Sequence, residues 1–259
     1  MEKEELLNLQ DRASSGHIDS IINLIDFYIE TKDYKSAYQT ACRFDFFADA
    51  RGYKILGQFY QNGVGTDIDL SKAISYYEKS LKMGEISSGY NLALIYIKNK
   101  EYDKAINYLA SGLENGHTPS IRLLATIYQK GEGVCQSEEI ATNLFNKAAD
   151  LGDIKAIDQL GRFYYSKQDY ATSYSYFVKG AERNDPDSIY HLALCYAKGL
   201  GTKQDFSKAF HYYELGAKLD EPRCLYNLSI YYRDGIIVKQ NQELAYKLEQ
   251  LAIQKGFKK

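Results

Sequence analysis

Apolar residues recur at helical spacing along almost the whole chain. In Tyr53-Lys54-Ile55-Leu56-Gly57-Gln58-Phe59-Tyr60, the set Leu56, Phe59 and Tyr60 falls on one face at i, i+3, i+4. The same phrase returns at Leu92–Tyr96, Leu124–Tyr128, Leu160–Tyr164, Leu192–Tyr196 and Leu228–Tyr232, with a degenerate copy at Leu24–Tyr28. The closing tyrosines step by 32, 36, 32, 36, 32 and 36 residues. A fixed period of this size predicts stacked supersecondary units in place of one globular core. A small residue follows each leucine (Gly57, Ala93, Ala125, Gly161, Ala193, Ser229). It predicts close approach of a neighbouring helix, which offsets the roughly 0.5–1 kcal/mol that a helical glycine costs.

A second pattern follows each phrase. A small residue precedes an aromatic or leucine pair: Ala73 with Tyr76 and Tyr77, Ala105 with Tyr108 and Leu109, Ala141 with Leu144 and Phe145, Ala209 with Tyr212 and Tyr213. Ser173 with Tyr176 and Phe177, and Ala245 with Leu248, are variants. Each unit therefore reads as two antiparallel helices whose apolar faces only a neighbour can cover.

The two period lengths differ in the turn between the helices. Long units carry glycine turns at Gly63-Val64-Gly65, Gly131-Glu132-Gly133 and Gly199-Leu200-Gly201, placed as helix stop signals. Short units turn tightly at Asp33-Tyr34, Lys98–Asp103 and Ser166–Tyr170. The last two units are both long. The expected architecture is an all-α, right-handed α-solenoid of about seven two-helix repeats, a single array over residues 1–259. A capping helix lies within 1–16, repeats fill 17–256, and the last helix covers about 241–255. Pro119, Pro186 and Pro222 are expected in the turns between repeats, where a helical array tolerates them.

Composition narrows the function. The chain has 259 residues, 45% hydrophobic content and a net charge of −2, which argues against a general nucleic-acid or membrane-surface binder. There are 25 tyrosines and no tryptophan, and the repeat positions absorb most of the tyrosines. The N-terminus reads as neither signal peptide nor membrane span. Cys42, Cys135, Cys195 and Cys224 share no spacing, so free thiols in a reducing cytoplasm are expected. Abundant Lys, Ile, Asn and Tyr suggest an AT-rich bacterial genome.

The run Leu-Gly-x-x-Tyr-x-x-Gly-x-Gly, followed by Lys-Ala-x-x-Tyr-Tyr-x-Lys, resembles the Sel1-like repeat. The copies starting near Arg51, Ser120 and Ser188 match best. The short copies are more similar to tetratricopeptide repeats. The resemblance covers residues 17–256 and implies a scaffold or adaptor that binds other proteins, without catalysis. Paired cysteines, as in the secreted branch of the family, are missing.

No residue set nominates chemistry. The glycine pairs follow helices and recur every 68 residues, whereas a phosphate-cradling loop follows a strand. His17, His117, His191 and His211 have no zinc spacing. Cys195 should be a buried small hydrophobe and Cys135 more exposed. Glu138-Glu139 should open a second helix, complementing its dipole. No cofactor and no enzyme activity are expected.

The resemblance places a partner on the inner, concave surface lined by the first helices. The residues facing it are Arg51, Lys54, Gln58, Tyr90, Lys98, Arg122, Lys130, Lys155, Arg162, Tyr165, Tyr190, Lys198, Arg223, Tyr226 and Arg233. Against ten basic positions stand Asp158, Asp187 and Asp234, and the first unit reverses the sign with Asp19, Asp26 and Glu30. Such a groove should favour an acidic or carboxylate-ended segment of another protein over nucleic acid. A general adaptor and an immunity-type inhibitor that embraces a toxin are both compatible with it. The regulatory part of an enzyme is a more remote alternative.

Overall fold

A computed structural model describes residues 3–258. It is all-helical among the described residues, and it divides into two compact units, 1–137 and 138–259. The first unit holds α1 (Lys3–Ser14), α2 (Ile18–Glu30), α3 (Tyr34–Ala41), α4 (Phe44–Phe47), α5 (Ala50–Asn62), α6 (Leu70–Lys82), α7 (Ser87–Lys98), α8 (Tyr102–Glu114) and α9 (Thr118–Lys130). The second holds α10 (Glu138–Asp150), α11 (Ile154–Ser166), α12 (Tyr170–Ala181), α13 (Pro186–Lys198), α14 (Phe206–Lys218), α15 (Pro222–Asp234) and α16 (Gln242–Gln254). Helices pack as sequential hairpins (α2 with α3, α5 with α6, α7 with α8, α11 with α12, α13 with α14, α15 with α16), and each second helix leans on the next first helix of its unit.

The repeat phrase forms the core. Leu56, Leu92, Leu124, Leu160, Leu192 and Leu228 are buried, as are the small residues after them. Across each hairpin, Gly57 and Gly161 lie against the rings of Tyr77 and Phe177; a Cβ at either would come within 2.6 Å and 2.5 Å of ring carbon. The phrase-closing tyrosines stack flat on the second helix: Tyr60 on Tyr76, Tyr96 on Tyr108, Tyr164 on Tyr176 and Tyr196 on Tyr212, with centroids 5.6–5.7 Å apart. Lys72, Lys104 and Lys208 sit over Tyr60, Tyr96 and Tyr196 at about 5 Å. The high tyrosine content is therefore a packing device.

The long turns end their first helices with Gly63, Gly131, Gly199 and Gly235 in the left-handed conformation. Each then closes back on the phrase tyrosine, whose carbonyl accepts from Asp69, Ser137, Asp205 or Asn241 N–H. The second turn glycine has a separate reason. A Cβ on Gly65 would lie 2.0 Å from the Tyr34 carbonyl oxygen, and one on Gly201 would lie 2.0 Å from that of Tyr170. Gly133 is as close to the Tyr102 side chain. A long turn thus nests over the start of the second helix of the preceding short hairpin. The short turns use Lys32, Lys100 and Gln168 at positive φ.

One expectation needs correction. Pro119, Pro186 and Pro222 do not sit in turns; they occupy the first turn of α9, α13 and α15. There the missing N–H has no intrahelical partner to lose, and the fixed φ suits the helix. The N-caps were not anticipated either. Asp33, Asp49, Asp69, Asp153, Asp169, Asp185, Asp205, Glu221 and Asn241 each accept the backbone N–H three residues on. Many carboxylates of this chain are spent on capping.

Candidate protein-binding surface

The repeat register gives every first helix two matching positions, three residues apart on one face. Nine residues before each closing tyrosine stand Asp19, Arg51, Ser87, Pro119, Lys155, Asp187 and Arg223; six before it stand Ile22, Lys54, Tyr90, Arg122, Asp158, Tyr190 and Tyr226. Because period and helix packing bring successive first helices side by side, opposite charges at these positions meet between repeats.

In the first unit, Arg51 of α5 donates to Asp19 of α2 at 2.9 Å, with Asp49 at 3.7 Å. Lys54 reaches forward to Glu85 and Ser87, both at 3.2 Å. Tyr90 is half-buried and edges onto His117, the residue that precedes α9. His17, at the equivalent boundary, and His117 each hold a serine hydroxyl three residues on through Nδ1. Lys130 pairs with Glu132. Gln58 and Lys98 are exposed, and Arg122 is half-buried.

In the second unit the candidate residues cluster on α11, α13 and α15. Arg223 is half-buried, with its guanidinium 4.3 Å from the Tyr190 ring centroid; Nε donates to Glu221 at 2.6 Å and an Nη to Asp187. Glu221 is itself buried and caps α15 through Cys224 N–H. Tyr165 leans on Tyr170 and approaches His191. Arg162 is exposed, 3.7 Å from Asp158. Tyr226 stacks on Phe257 at 4.2 Å, and Arg233 pairs with Asp234. Lys155 and Lys198 are exposed and make no ion pair among the described residues.

The basic excess of ten to three is therefore smaller than the count of candidates. Arg51, Lys54, Lys130, Arg162, Arg223 and Arg233 all have carboxylate partners. Several of these carboxylates, Asp49, Glu85, Glu132 and Glu221, lie at caps and turns that the sequence reading left out of the balance. Asp158 is a further correction. It is buried, 7% exposed, and not a solvent-facing acid. Its Oδ1 has no partner, and burial pushes its carboxyl up to about 6, with Asp187 adding to the rise and Arg162 opposing it. In the same unit, both ring nitrogens of His191 are buried without partners, and the ring lies flat on Phe177 at 4.7 Å. Burial, together with Arg223 and Arg162, holds His191 down at about 4.

Cys195 and Cys224 are buried, Cys135 is exposed, and burial pushes the Cys195 thiol up to about 11. No helix of the described residues is long and apolar enough to cross a membrane.

Comparison with known proteins places this architecture. The Sel1 repeat model matches residues 51–85, 118–153, 155–185, 186–221 and 222–257. The chain is 33% identical over 110 residues to a Sel1-like repeat-containing protein of Acanthamoeba polyphaga mimivirus, covering 42% of this chain and 20% of that relative. The match thus spans one fifth of the relative's length. A crystal structure of a protective antigen from uropathogenic Escherichia coli, which displays an SLR fold, superposes with a TM-score of 0.75 at 22% identity, covering 97% of this chain and 56% of that one. A Sel1 repeat protein from Oxalobacter formigenes superposes with a TM-score of 0.70 at 24% identity, covering 91% and 97%. Sel1 repeats in general mediate protein–protein interaction. With the repeat model matching most of its length, this chain belongs to the Sel1-repeat family.

Proposed function

We propose that the chain is a protein-binding adaptor that holds its partner against the exposed face of its first helices, with α11, α13 and α15 carrying the strongest contact. The observation that supports this reading is the half-buried Arg223 guanidinium, laid over Tyr190 and fixed by Glu221 and Asp187. An arginine and an aromatic ring held rigid before binding lose little entropy on contact, and these residue types concentrate binding energy at interfaces. Lys155 and Lys198 lie exposed in the same unit, and Lys98 in the other. They supply uncompensated positive charge for an acidic or carboxylate-ended segment of the partner.

Affinity capture with the full chain, read by mass spectrometry, identifies the partner. The combined variant Lys155→Glu, Arg162→Glu, Lys198→Glu should lower capture at least tenfold with an unchanged circular dichroism spectrum. Arg223 is left out of that set because its carboxylate partners make it part of the framework. Capture at full strength by the variant would sink this assignment of the face.

A further inference from the structure

The first unit contains a cleft of about 890 Å³ between α1 and α2. Its floor includes Leu9 and Phe27, and Glu4, Glu5, Asp26 and Glu30 line it. Arg12 is the only cation among its lining residues, and it approaches the His17 ring at 3.3 Å. Asp26 and Glu30 are exposed on α2 and have no ion-pair partner among the described residues.

The cleft has a structural origin in the repeat. Phe27 stands one residue before the phrase tyrosine. In the next three first helices of the unit that position is Phe59, Ile95 and Ile127, which are 4%, 3% and 1% exposed. Phe27 is only half-buried. The reason is what precedes each helix. Later first helices are preceded by a hairpin, and neighbouring first helices such as α7 and α9 touch directly. Among the described residues α2 is preceded by α1 alone, which packs on it as a second helix would. The cleft is the place where the first helix of a preceding hairpin would stand. Its lining combines the apolar Leu9 and Phe27 with four carboxylates and a single cation.

We propose that this cleft receives an amphipathic helix from a partner protein, with an apolar stripe on Leu9 and Phe27 and Lys or Arg on its flanks facing Glu4, Asp26 and Glu30. The mode is helix-in-groove recognition, and opposite charge sets the choice of helix. Asp26 and Glu30 hold the register positions of Gln58 and Lys98, so this site sits in the same first-helix register but takes a segment of opposite charge.

The test uses the full chain and a stapled 16-residue helix with leucines at i, i+4, i+7 and lysines flanking them, read by fluorescence anisotropy and by amide shifts. The control is the same helix with every lysine replaced by glutamate. Saturable binding of the lysine helix, with shifts confined to α1 and α2, is expected. The glutamate helix should bind at least tenfold more weakly. Asp26→Lys with Glu30→Lys should reverse that preference, and Phe27→Ala should weaken both helices. Equal affinity for the two helices, shifts elsewhere, or a self-associating chain whose α1–α2 resonances are already covered would each overturn the proposal. Failure here leaves the first-helix reading standing, because the capture variants lie in the other unit.

Discussion

Gly180 and Ser188 are packed so closely that a Cβ added to the glycine would lie 2.0 Å from the serine Oγ and 2.4 Å from its Cβ. The pair joins α12 to α13, one hairpin to the next. Gly112 with Ser120 and Gly216 with Cys224 repeat the contact at 2.4 Å and 2.3 Å. At the equivalent place earlier in the chain, Ser80 and Ser88 face each other and share a hydrogen bond of 2.7 Å, while Ser80 donates to the Ala50 carbonyl at 2.6 Å. Repeat-to-repeat spacing is thus set by two small side chains.

Gly180→Ala should therefore destabilise the second unit by about 1–3 kcal/mol, the usual scale of overpacking. Ser188→Gly in the same chain should restore most of it, which urea unfolding would read as a coupling between the two sites. Ser188→Ala alone should be neutral or stabilising, because it removes a buried hydroxyl that has no partner. Ser88→Ala should cost about 1 kcal/mol, because its hydroxyl is bonded.

The stack was legible in the sequence because stacking is written at fixed positions. The leucine, the small residue and the tyrosine of each phrase carry the core, and the glycine pairs mark the long turns. What lies under the long turns was not legible: Gly65 needs its φ and its bareness because Tyr34 lies across from it, a contact between units. The candidate surface was legible only in residue type. Arg51, Lys54 and Arg223 were read as free charges, and their partners Asp19, Glu85 and Asp187 stand 32, 31 and 36 residues away. Asp158 misled for a related reason. It takes a register position that Lys54 and Arg122 hold elsewhere, and only packing shows that it is buried.

Asp158 and His191 should give opposite pH dependences of stability. The folded Asp158 carboxyl lies at about 6 against 3.8 when free, so its contribution is present below 3.8 and lost as pH rises through 6. The folded His191 lies at about 4 against 6.5, so its contribution is present above 6.5 and lost as pH falls through 4. Each shift corresponds to roughly 3 kcal/mol. In the native chain the two slopes cancel over pH 4–6. Asp158→Asn should gain stability at pH 7.5 and fall steeply on acidification, and His191→Leu should gain on acidification. Chemical unfolding at pH 4.5 and 7.5 reads both; parallel profiles for the two variants would refute the assignment.

Thiol labelling should report the stack directly. Cys135 is exposed, so one thiol should react with a disulfide reagent within seconds. Cys42, half-buried and raised by burial, should follow slowly. Cys195 and Cys224 are buried with thiols pushed up by burial, and they should react only at the unfolding rate of the second unit. Four thiols reacting together in native buffer would contradict the packing of α13 against α14 and α15.

The last prediction separates backbone conformation from crowding in the long turns. Ile237 holds the position of Gly65, Gly133 and Gly201, and its φ is 57°, in the left-handed region. A branched side chain is strained there by about 1–2 kcal/mol. Yet Ile237 is half exposed, whereas a Cβ on Gly201 would collide with the Tyr170 carbonyl oxygen at 2.0 Å. The preceding hairpin is short before Gly201 and long before Ile237, and Ile237 keeps about half of its surface open. Ile237→Gly should therefore stabilise the chain by about 1 kcal/mol through φ alone, and Gly201→Ala should destabilise it by more than about 2 kcal/mol through φ and collision together. Equal and opposite changes at the two sites, measured by urea unfolding, would show that conformation alone governs these turns.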